Sequence, residues 1–484
     1  MARLSRRDFM KGTLAVAGAT IAIGGTKASG KIIGANDRFR IGVAGVKSRG
    51  NSHIGGYVGQ PNVEVAYVID PDSKVRNRVV SGLTKRVKGK YEPKGICDVR
   101  KALDDKDLDA ISIATPNHWH SLMTIWGCQA GKHVYVEKPM SHDNFEGRRV
   151  VEAQKKYGVV IQHGTQRRSS AREAGLAKAI RDGKWGKLIV SHGYCCKPRN
   201  GIGVKPVGPV PEELDWNIWR GPANIADNAF HKNLVHYNWH WFWATGNGDL
   251  NNQGTHELDV AIWALGDKRQ PKAAMGLGGR FLWGDQGETP NSMLNIIDYG
   301  DGQYMFFTVR NVNYKGYKRQ VENEYYFEDG GKIIRGKYYP KGSDKGEKVS
   351  VPSGKVTPGG CFGSFINACK AGKPEMSNAP ADVAHHSCLP GHLCNISYRM
   401  GKKTPFNTNA VDFGDNKLGQ AAFENLHEIL KDGVKLPADK TQYNVGPWLK
   451  WDGATESFIG DHAEAANKLN RKVCRKGFEV PEKV

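Results

Sequence analysis

Apolar runs alternate with helix-length segments in the first third of the chain. The runs are rich in β-branched residues and contain few polar positions, as expected of strands buried on both faces of a sheet. They occupy residues 39–46, 63–70, 108–116, 132–139 and 158–166. Amphipathic segments such as 120–130 and 144–156 separate them. This alternation predicts an α/β fold whose N-terminal domain, residues 37–166, is a doubly wound parallel sheet.

The pattern changes after residue 166. Longer polar loops are followed by strands of alternating character at 292–299, 303–313 and 323–336, and helices are predicted at 255–265, 362–371 and 381–400. These elements predict a second α/β domain over residues 167–418 with an open, mainly antiparallel sheet. A helical extension is predicted over residues 419–484.

The first 30 residues have the pattern of an export signal. Arg6 and Arg7 precede an apolar run at 12–25 that is too short to span a bilayer comfortably. A twin arginine before such a run resembles a Tat signal, and the alternative is a basic start before a membrane anchor. The resemblance implies that the protein reaches the periplasm folded, with its cofactor already bound. No other stretch looks transmembrane.

Composition adds few constraints on function. Lysine and arginine number 70 against 49 acidic residues, a formal charge of +21. Because no dense basic run or nucleic-acid motif accompanies this excess, we interpret it as dispersed surface charge, and an anionic substrate stays open. The nine cysteines show neither a CxxC pair nor a zinc-like spacing, so we expect no metal site. Because a nucleic-acid motif is also lacking, we expect no nucleic-acid partner.

The loop after the first strand has the features of a dinucleotide site. Its candidate cofactor contacts are Gly42, Gly45, Ser48, Arg49 and Gly50. Glycines at this turn let the backbone approach a pyrophosphate, and the next helix offers its N-terminal N–H groups. The loop does not fit GxGxxG, but Asp70 ends the following strand about 20 residues after Gly50, the spacing at which an acidic residue binds the ribose. A carboxylate there can accept both ribose hydroxyls and would repel a 2′-phosphate, so NAD is predicted over NADP. The alternative is a glycine-rich turn with Asp70 as a helix cap.

The third and fourth strands also end in polar groups. The third ends at Thr115, Pro116, Asn117 and His120, which are predicted to form a wall of the cofactor site. The fourth strand ends in Glu137, Lys138 and Pro139. The carboxyl ends of parallel strands face one crevice, so these groups are expected close together.

These motifs together resemble the Gfo/Idh/MocA family of dinucleotide-dependent sugar oxidoreductases. The resemblance implies a Rossmann domain that binds NAD and a second domain whose sheet forms a homodimer or homotetramer. It also implies that Lys138 reaches both the substrate hydroxyl and the nicotinamide ribose, next to Glu137, and that Pro139 fixes the backbone with a cis bond. Further cofactor contacts are expected at Gln166, Trp219 and Arg220.

The segment from Gly248 to Trp263 looks like the family's Asp-x-x-x-His element. The resemblance implies that His256 contacts substrate and is the general acid/base, but the aspartate position is occupied by Asn252. The asparagine amide is uncharged, so it cannot raise the pKa of His256 as an aspartate would. Three alternatives follow: the amide suffices, Asp249 or Glu257 substitutes for the aspartate, or catalysis differs.

The segment 231–243 is dense in aromatic rings and imidazoles. It is interpreted as a carbohydrate pocket or as a buried aromatic core, with metal binding by its histidines a weaker alternative. Candidate substrate contacts in and near it are Lys197, Tyr237 and His240.

The sequence therefore predicts an NAD(H)-dependent oxidoreductase acting on a hydroxyl or keto group of a sugar, cyclitol or glycoside. Hydride transfer needs a base for the hydroxyl proton and a cation for the alkoxide, which His256 and Lys138 can supply. Free cofactor is scarce in the periplasm, so NAD is expected to stay bound through turnover. Two alternatives remain: an NAD-dependent glycosidase of the same fold, and a non-catalytic sugar-binding relative, which Asn252 keeps open.

Overall fold

The computed structural model describes residues 38–484, so the predicted export signal at residues 1–30 lies outside the described residues. A six-stranded sheet and a twelve-stranded sheet organise this part of the chain. The strands of the first sheet are β1 Phe39–Ala44, β2 Val63–Ile69, β3 Lys94–Ile96, β4 Ala110–Ile113, β5 His133–Val136 and β6 Ile161–His163. Its helices are α1 Arg49–Val58, α2 Ser73–Val87, α3 Arg100–Leu103, α4 Asn117–Gln129 and α5 Asn144–Tyr157.

The first sheet has the strand order β3-β2-β1-β4-β5-β6, and all of its pairs are parallel. This is the order of a dinucleotide-binding doubly wound sheet, with its switch point between β1 and β4. Its strands are apolar on both faces because helices cover both, and Ile41, Ile111 and Val134 are fully buried. Asp72 and Asp143 cap α2 and α5 by accepting backbone N–H groups. The predicted parallel sheet is confirmed.

The second sheet is mixed. Its strands are β7 Leu188–Arg199, β8 Ala273–Gly279, β9 Ser292–Asp298, β10 Tyr304–Val312, β11 Gln320–Phe327, β12 Lys332–Ile334, β13 Lys337–Tyr339, β14 Glu347–Lys348, β15 Lys402–Pro405, β16 Gln442–Val445, β17 Leu449–Asp452 and β18 Ser457–Ile459. Among the described strands of this second sheet, only β7 and β10 pair in parallel, and the other pairs are antiparallel. The prediction of a mainly antiparallel second sheet is confirmed.

Helices of the second half pack on both sheets. They are α6 Ala171–Arg181, α7 Trp216–Arg220, α8 Gly248–Asn252, α9 Thr255–Leu265, α10 Gly360–Ala371, α11 Ala381–Arg399, α12 Lys417–Glu428 and α13 Ala463–Leu469. Side chains of α10 and α11, such as Phe365 and Cys388, join the apolar clusters around the first sheet. No helix within residues 38–484 is both long and apolar enough to cross a bilayer.

The C-terminal residues 419–484 differ from the predicted helical extension. They complete α12 and form α13, but they also add β16, β17 and β18 to the large sheet. The strands form because Tyr443, Leu449 and Trp451 bury their side chains against that sheet and its helices. The last residues then return to the first domain, where Phe478 packs against the ring of Trp119 at 5.6 Å.

A buried ion pair joins the end of the first domain to α9. Arg168, which follows β6, donates to both carboxylate oxygens of Asp259 at 2.9 and 3.0 Å and to Asp267 at 2.6 Å. Ser387 of α11 donates to the same Asp259 carboxylate at 2.6 Å. Because both charges are removed from water, each depends on the other for compensation. Asp259 is therefore a structural residue.

We expect Asp259→Ala to lower the free energy of unfolding by about 3–5 kcal/mol, because the buried Arg168 then loses its buried partner and keeps only the partly exposed Asp267. Lys178→Ala is the control, since its pair with Asp182 is exposed on α6 and is worth about 0–1 kcal/mol. Urea unfolding monitored by tryptophan fluorescence measures the free energy of unfolding of both variants. Equal midpoints for the two variants would contradict the structural role of this pair.

Candidate functional site

A cavity of about 930 Å³ lies at the carboxyl ends of the first sheet's strands. Gly45, Asp70, Thr115 and Glu137, which follow β1, β2, β4 and β5, line one side. Residues of β7, α8 and α9 from the second half line the other side. Ligand pockets commonly measure roughly 300–1,000 Å³, and open α/β sheets bind ligands at this edge.

Most of the residues predicted to form the site line this one cavity. They are Gly45, Ser48, Arg49, Asp70, Thr115, Pro116, Asn117, His120, Glu137, Lys138, Gln166, Lys197, Trp219, Tyr237, Asn252 and His256. The predicted contacts Gly42, Gly50, Arg220 and His240 are not among its lining residues.

The three glycines of the first loop have different surroundings. Gly45 has a φ of +79°, and a Cβ there would lie 2.6 Å from the backbone of Ala114 and Thr115. A Cβ on Gly50 would lie 2.3 Å from the Gly45 carbonyl oxygen, so Gly50 lets α1 approach the loop. Gly42 lies inside β1 under Ile69. Only Gly45 is therefore placed for a cofactor contact, and the other two permit close packing.

Arg220 and His240 are engaged in the protein interior. Arg220 pairs with Asp227, donates to the Ile225 carbonyl at 2.7 Å and stacks on Trp216. His240 is buried, and its Nδ1 donates to the carbonyl of Tyr237 at 2.8 Å. The expectation of direct cofactor contact by Arg220 and substrate contact by His240 is therefore corrected to a supporting position behind the cavity wall.

Asp70 fits a ribose. Its carboxylate accepts the backbone N–H groups of Val46 at 2.9 Å and Asp72 at 3.0 Å. A carboxylate has about four acceptor positions, so acceptor capacity remains for two hydroxyls. Burial raises the pKa of Asp70 to about 6, against the effect of those two backbone donors. The group is therefore mostly ionised at neutral pH.

The Glu137 carboxylate is buried and has hydrogen bonds to two side chains of α1. Arg49 Nε donates to its Oε1 at 2.6 Å, and His53 Nε2 lies 3.1 Å from the same oxygen. His53 Nδ1 in turn lies 2.8 Å from the hydroxyl of Ser112 on β4. Burial alone would raise the pKa of Glu137, but His53, Arg49 and Lys138 hold it well below its usual range. The carboxylate is thus ionised, and it ties α1 to the end of β5.

Lys138 extends across the cavity to the second half. The Lys138–Pro139 peptide bond is cis, and Nζ donates to the backbone carbonyl of Asn252. Burial lowers the pKa of Lys138, although the charges of Glu137 and Asp249 oppose the shift. The ammonium is therefore held at the boundary between the two halves.

His256 lies at the start of α9 and also lines the cavity. Burial first, and then the Lys138 charge, lower its pKa to about 3, while Glu137 acts in the opposite direction. The imidazole is therefore uncharged at neutral pH and can accept a proton but not donate one from a charged state.

Asn252 is linked to a carboxylate one helical turn earlier. Its Nδ2 donates to Asp249 Oδ1 at 3.3 Å. Asp249 is fully buried and accepts two hydrogen bonds from Arg199 at 2.9 and 3.1 Å and one from Asn311 at 2.9 Å. Burial would raise the pKa of Asp249, but Arg199 lowers it. Its charge is thus compensated by Arg199.

Glu257, the other alternative, is buried and does not line the cavity. Burial raises its pKa to about 7. Asp249 is thus compensated by Arg199, and neither it nor Glu257 lines the cavity, which leaves the Asn252 amide as the polar group at that position of the cavity wall.

The segment 231–243 forms both pocket and core. Tyr237 and Trp239 line the cavity, whereas Trp241 and Phe242 belong to a buried aromatic cluster. Its three histidines point to different partners: His236 to Asp72, His240 to the Tyr237 carbonyl, and His231 to the ring of Phe242. Among residues 38–484, no group of three or more His, Cys, Asp or Glu is arranged to hold a metal ion.

Some residues of the site were not predicted. His53 follows Arg49 by four positions, so helical spacing could have placed both beside Glu137. Gln253, which accepts from Lys197 Nζ at 3.4 Å, and Trp239 carry no local signal of their own. They reach the cavity only through the path of the chain between the two sheets.

Two family models match the chain. Residues 39–165 match the Gfo/Idh/MocA model described as oxidoreductase family, NAD-binding Rossmann fold. Residues 198–279 match the model described as oxidoreductase family, C-terminal alpha/beta domain. The first description confirms the predicted NAD-binding domain, and the two matches together support the resemblance drawn from the motifs.

Curated relatives match about a third of this chain. Levoglucosan dehydrogenase of Pseudarthrobacter phenanthrenivorans is 26% identical over 170 residues, 35% of this chain and 36% of that protein. Glycosyl hydrolase family 109 protein 2 of Shewanella sp. (strain ANA-3) is 32% identical over 158 residues, 29% of this chain and 35% of that protein. Inositol 2-dehydrogenase of Arthrobacter sp. (strain FB24) is 30% identical over 158 residues, 32% of this chain and 45% of that protein. The chain thus spans less than half the length of these relatives.

Solved structures share the fold over both halves. The WlbA dehydrogenase from Bordetella pertussis, in complex with NADH and UDP-GlcNAcA, superposes with a TM-score of 0.52 at 18% identity, covering 75% of this chain and 97% of that one. Levoglucosan dehydrogenase in complex with NADH gives 0.51 at 18% identity, covering 74% and 96%. The chain therefore consists of an NAD-binding Rossmann domain followed by an α/β domain, and both parts match models of the Gfo/Idh/MocA oxidoreductase family.

Proposed function

We propose that the protein is an NAD(H)-dependent oxidoreductase acting on a hydroxyl or keto group of a sugar, cyclitol or glycoside. The observation that carries the proposal is the convergence of Lys138 and His256, from the two halves of the chain, on one cavity beside the Rossmann edge. Relatives named levoglucosan dehydrogenase and inositol 2-dehydrogenase support a polyhydroxylated substrate.

The residues at the first sheet fit NAD. The Gly45 backbone, the start of α1 at Ser48 and Arg49, and the Asp70 carboxylate would hold the dinucleotide. Thr115 Oγ1 is a buried hydroxyl without a hydrogen-bond partner in this wall and is available to it. When bound, NAD supplies the acceptor or donor of the hydride.

The protein's own groups would handle the proton and the charge. His256, uncharged at neutral pH, would accept the substrate hydroxyl proton on an imidazole nitrogen. The Lys138 ammonium would donate a hydrogen bond to the same oxygen and stabilise its developing negative charge. The backbone carbonyl of Asn252 accepts a hydrogen bond from that ammonium and orients it in the cavity.

A second candidate is an NAD-dependent glycosidase. Relatives named as glycosyl hydrolase family 109 proteins, 29–32% identical over parts of the chain, favour it. A glycosidase would release free sugar with no net change in the cofactor, whereas a dehydrogenase would accumulate a keto-sugar or reduced cofactor. Mass spectrometry of the cofactor released from purified protein, followed by a glycoside screen for keto products and free sugar, separates the two.

Cellular location and assembly are further parts of the proposal. The twin-arginine pattern at Arg6 and Arg7 supports export in folded form with NAD bound, and cell fractionation would test it. The large open sheet supports a homodimer or homotetramer.

Lys138→Ala should lower kcat by roughly 10²- to 10³-fold, because the substrate oxygen loses its charged donor. Reduction of bound nicotinamide at its absorbance band and keto product by mass spectrometry are the measurements. Lys205→Ala, in an exposed loop outside the cavity, is the control. Undiminished turnover in a folded Lys138→Ala protein would remove Lys138 from the mechanism.

The pH profile tests His256. Because its pKa is held at about 3, it gains a proton only in strong acid, so kcat/KM for oxidation should show no limb near pH 6.5, the ordinary imidazole value. His256→Ala should lower kcat/KM by roughly 10²- to 10⁴-fold and flatten the acid side. His462→Ala, an exposed histidine, is the control. A limb near pH 6.5 in the unchanged protein that is lost in His256→Ala would contradict the lowered pKa of His256.

Asp70 should control cofactor affinity and choice. Asp70→Asn should weaken NAD binding roughly ten- to hundredfold, because hydrogen bonds to a charged group contribute about 1.5–3 kcal/mol. It should also reduce the preference for NAD over NADP. In the unchanged protein, NAD affinity should rise as pH increases through about 6, where Asp70 ionises. Calorimetric titration of cofactor-stripped protein measures each affinity, with Asp104→Asn as an exposed control. Equal NAD affinities for Asp70→Asn and its control would exclude the ribose contact.

A further inference from the structure

A large aromatic ring is exposed at the mouth of the cavity. Tyr237 lines the cavity and keeps 55% of its surface exposed, while its neighbour His240 is buried. Large apolar side chains left exposed beside a binding cavity are candidates for ligand contact. A ring in this position can pack against the C–H face of a ring on a ligand.

The Tyr237 ring is held in place before any ligand binds. Arg199 Nη1 donates to the Tyr237 hydroxyl at 2.9 Å, and Arg199 itself is anchored by two hydrogen bonds to Asp249. The ring of His240 packs edge-on at 5.1 Å and 71°. The ring of Trp239, which also lines the cavity, packs edge-on against the ring of His240 at 5.7 Å and 81°. Little conformational freedom of the Tyr237 side chain therefore remains to be lost on binding.

A row of hydrogen bonds connects this ring to the reacting groups. It runs from Tyr237 to Arg199, from Arg199 to Asp249, and from Asp249 to Asn252, whose carbonyl holds Lys138. Exposure falls from 55% at Tyr237 to 15% for the Arg199 side chain and 0% for Asp249, and Asn252 is half-buried. Tyr237 and Lys138 line the same cavity, so a ligand whose reacting hydroxyl lies at Lys138 can bring a second ring against Tyr237.

We propose that Tyr237 is a specificity-determining residue that binds a second ring of the substrate, so that the preferred substrate is a glycoside with a cyclic aglycone or neighbouring sugar rather than a free monosaccharide. This inference rests on the proposed function, because it places the reacting sugar at Lys138. It names the substrate class within that function.

Binding of simple glycosides tests the inference without requiring turnover. The probes are phenyl and methyl glycosides of glucose, galactose and mannose, both anomers, titrated calorimetrically into the NAD-loaded protein. For at least one sugar, the phenyl glycoside should bind roughly tenfold more tightly than the methyl glycoside, as expected for one added aromatic contact. Tyr237→Leu should reduce that ratio to about twofold or less, whereas Tyr237→Phe, which keeps the ring and loses only the bond to Arg199, should retain most of it.

Several results would overturn the inference. They are equal binding of phenyl and methyl glycosides to the unchanged protein, a ratio that persists in Tyr237→Leu, and no binding of any probe. Loss of oligomer mass in Tyr237→Leu by light scattering would show that a second copy of the chain covers the ring instead. Failure of the proposed function gives a different result: a Tyr237-dependent phenyl preference with neither keto product nor reduced cofactor for any bound glycoside.

Discussion

The buried carboxylate of Glu137 is the interaction on which the site depends. An ionised carboxylate removed from water must be compensated by charges or hydrogen bonds, and here Arg49 and His53 of α1 provide them. Because Glu137 ends β5, this pairing fixes the strand end against the helix that follows the glycine loop. Lys138 is the next residue, so its side chain leaves a rigid point and extends into the cavity. The same contact therefore shapes the expected cofactor loop and places the expected catalytic cation.

The two halves of the chain are joined around α8 and α9. Lys138 donates to the Asn252 carbonyl from one side, and Arg168 pairs with Asp259 from the other. His256 lies between these contacts and near the Lys138 charge, which together with burial keeps its imidazole uncharged. The arrangement thus assigns the two proposed roles, hydrogen-bond donor and proton acceptor, to different groups from the two halves of the chain.

Local pattern was sufficient for the first sheet and for the residues at its edge. Continuous β-branched runs identify strands buried on both faces, and parallel strands bring their carboxyl ends together, so Asp70, Thr115 and Lys138 could be grouped from sequence. The short strand β3 was missed because Lys94–Ile96 has no apolar run. The C-terminal strands were missed because their side chains are buried only by the distant sheet that they join. Arg199 and Asp249 lie 50 positions apart, and no local periodicity predicts such a pair.

The amide at Asn252 has a consequence for the direction of proton transfer. Its Nδ2 group donates to Asp249, so its carbonyl oxygen is the group left to accept a hydrogen bond at the cavity wall. An aspartate at this position would add a negative charge near His256 and raise the pKa of the imidazole, favouring the protonated form. The amide adds no such charge, so His256 rests in the uncharged form that accepts a proton. With Asp249 already compensated by Arg199, the imidazole is left uncharged, which is the form that the proposed oxidation of a hydroxyl group requires.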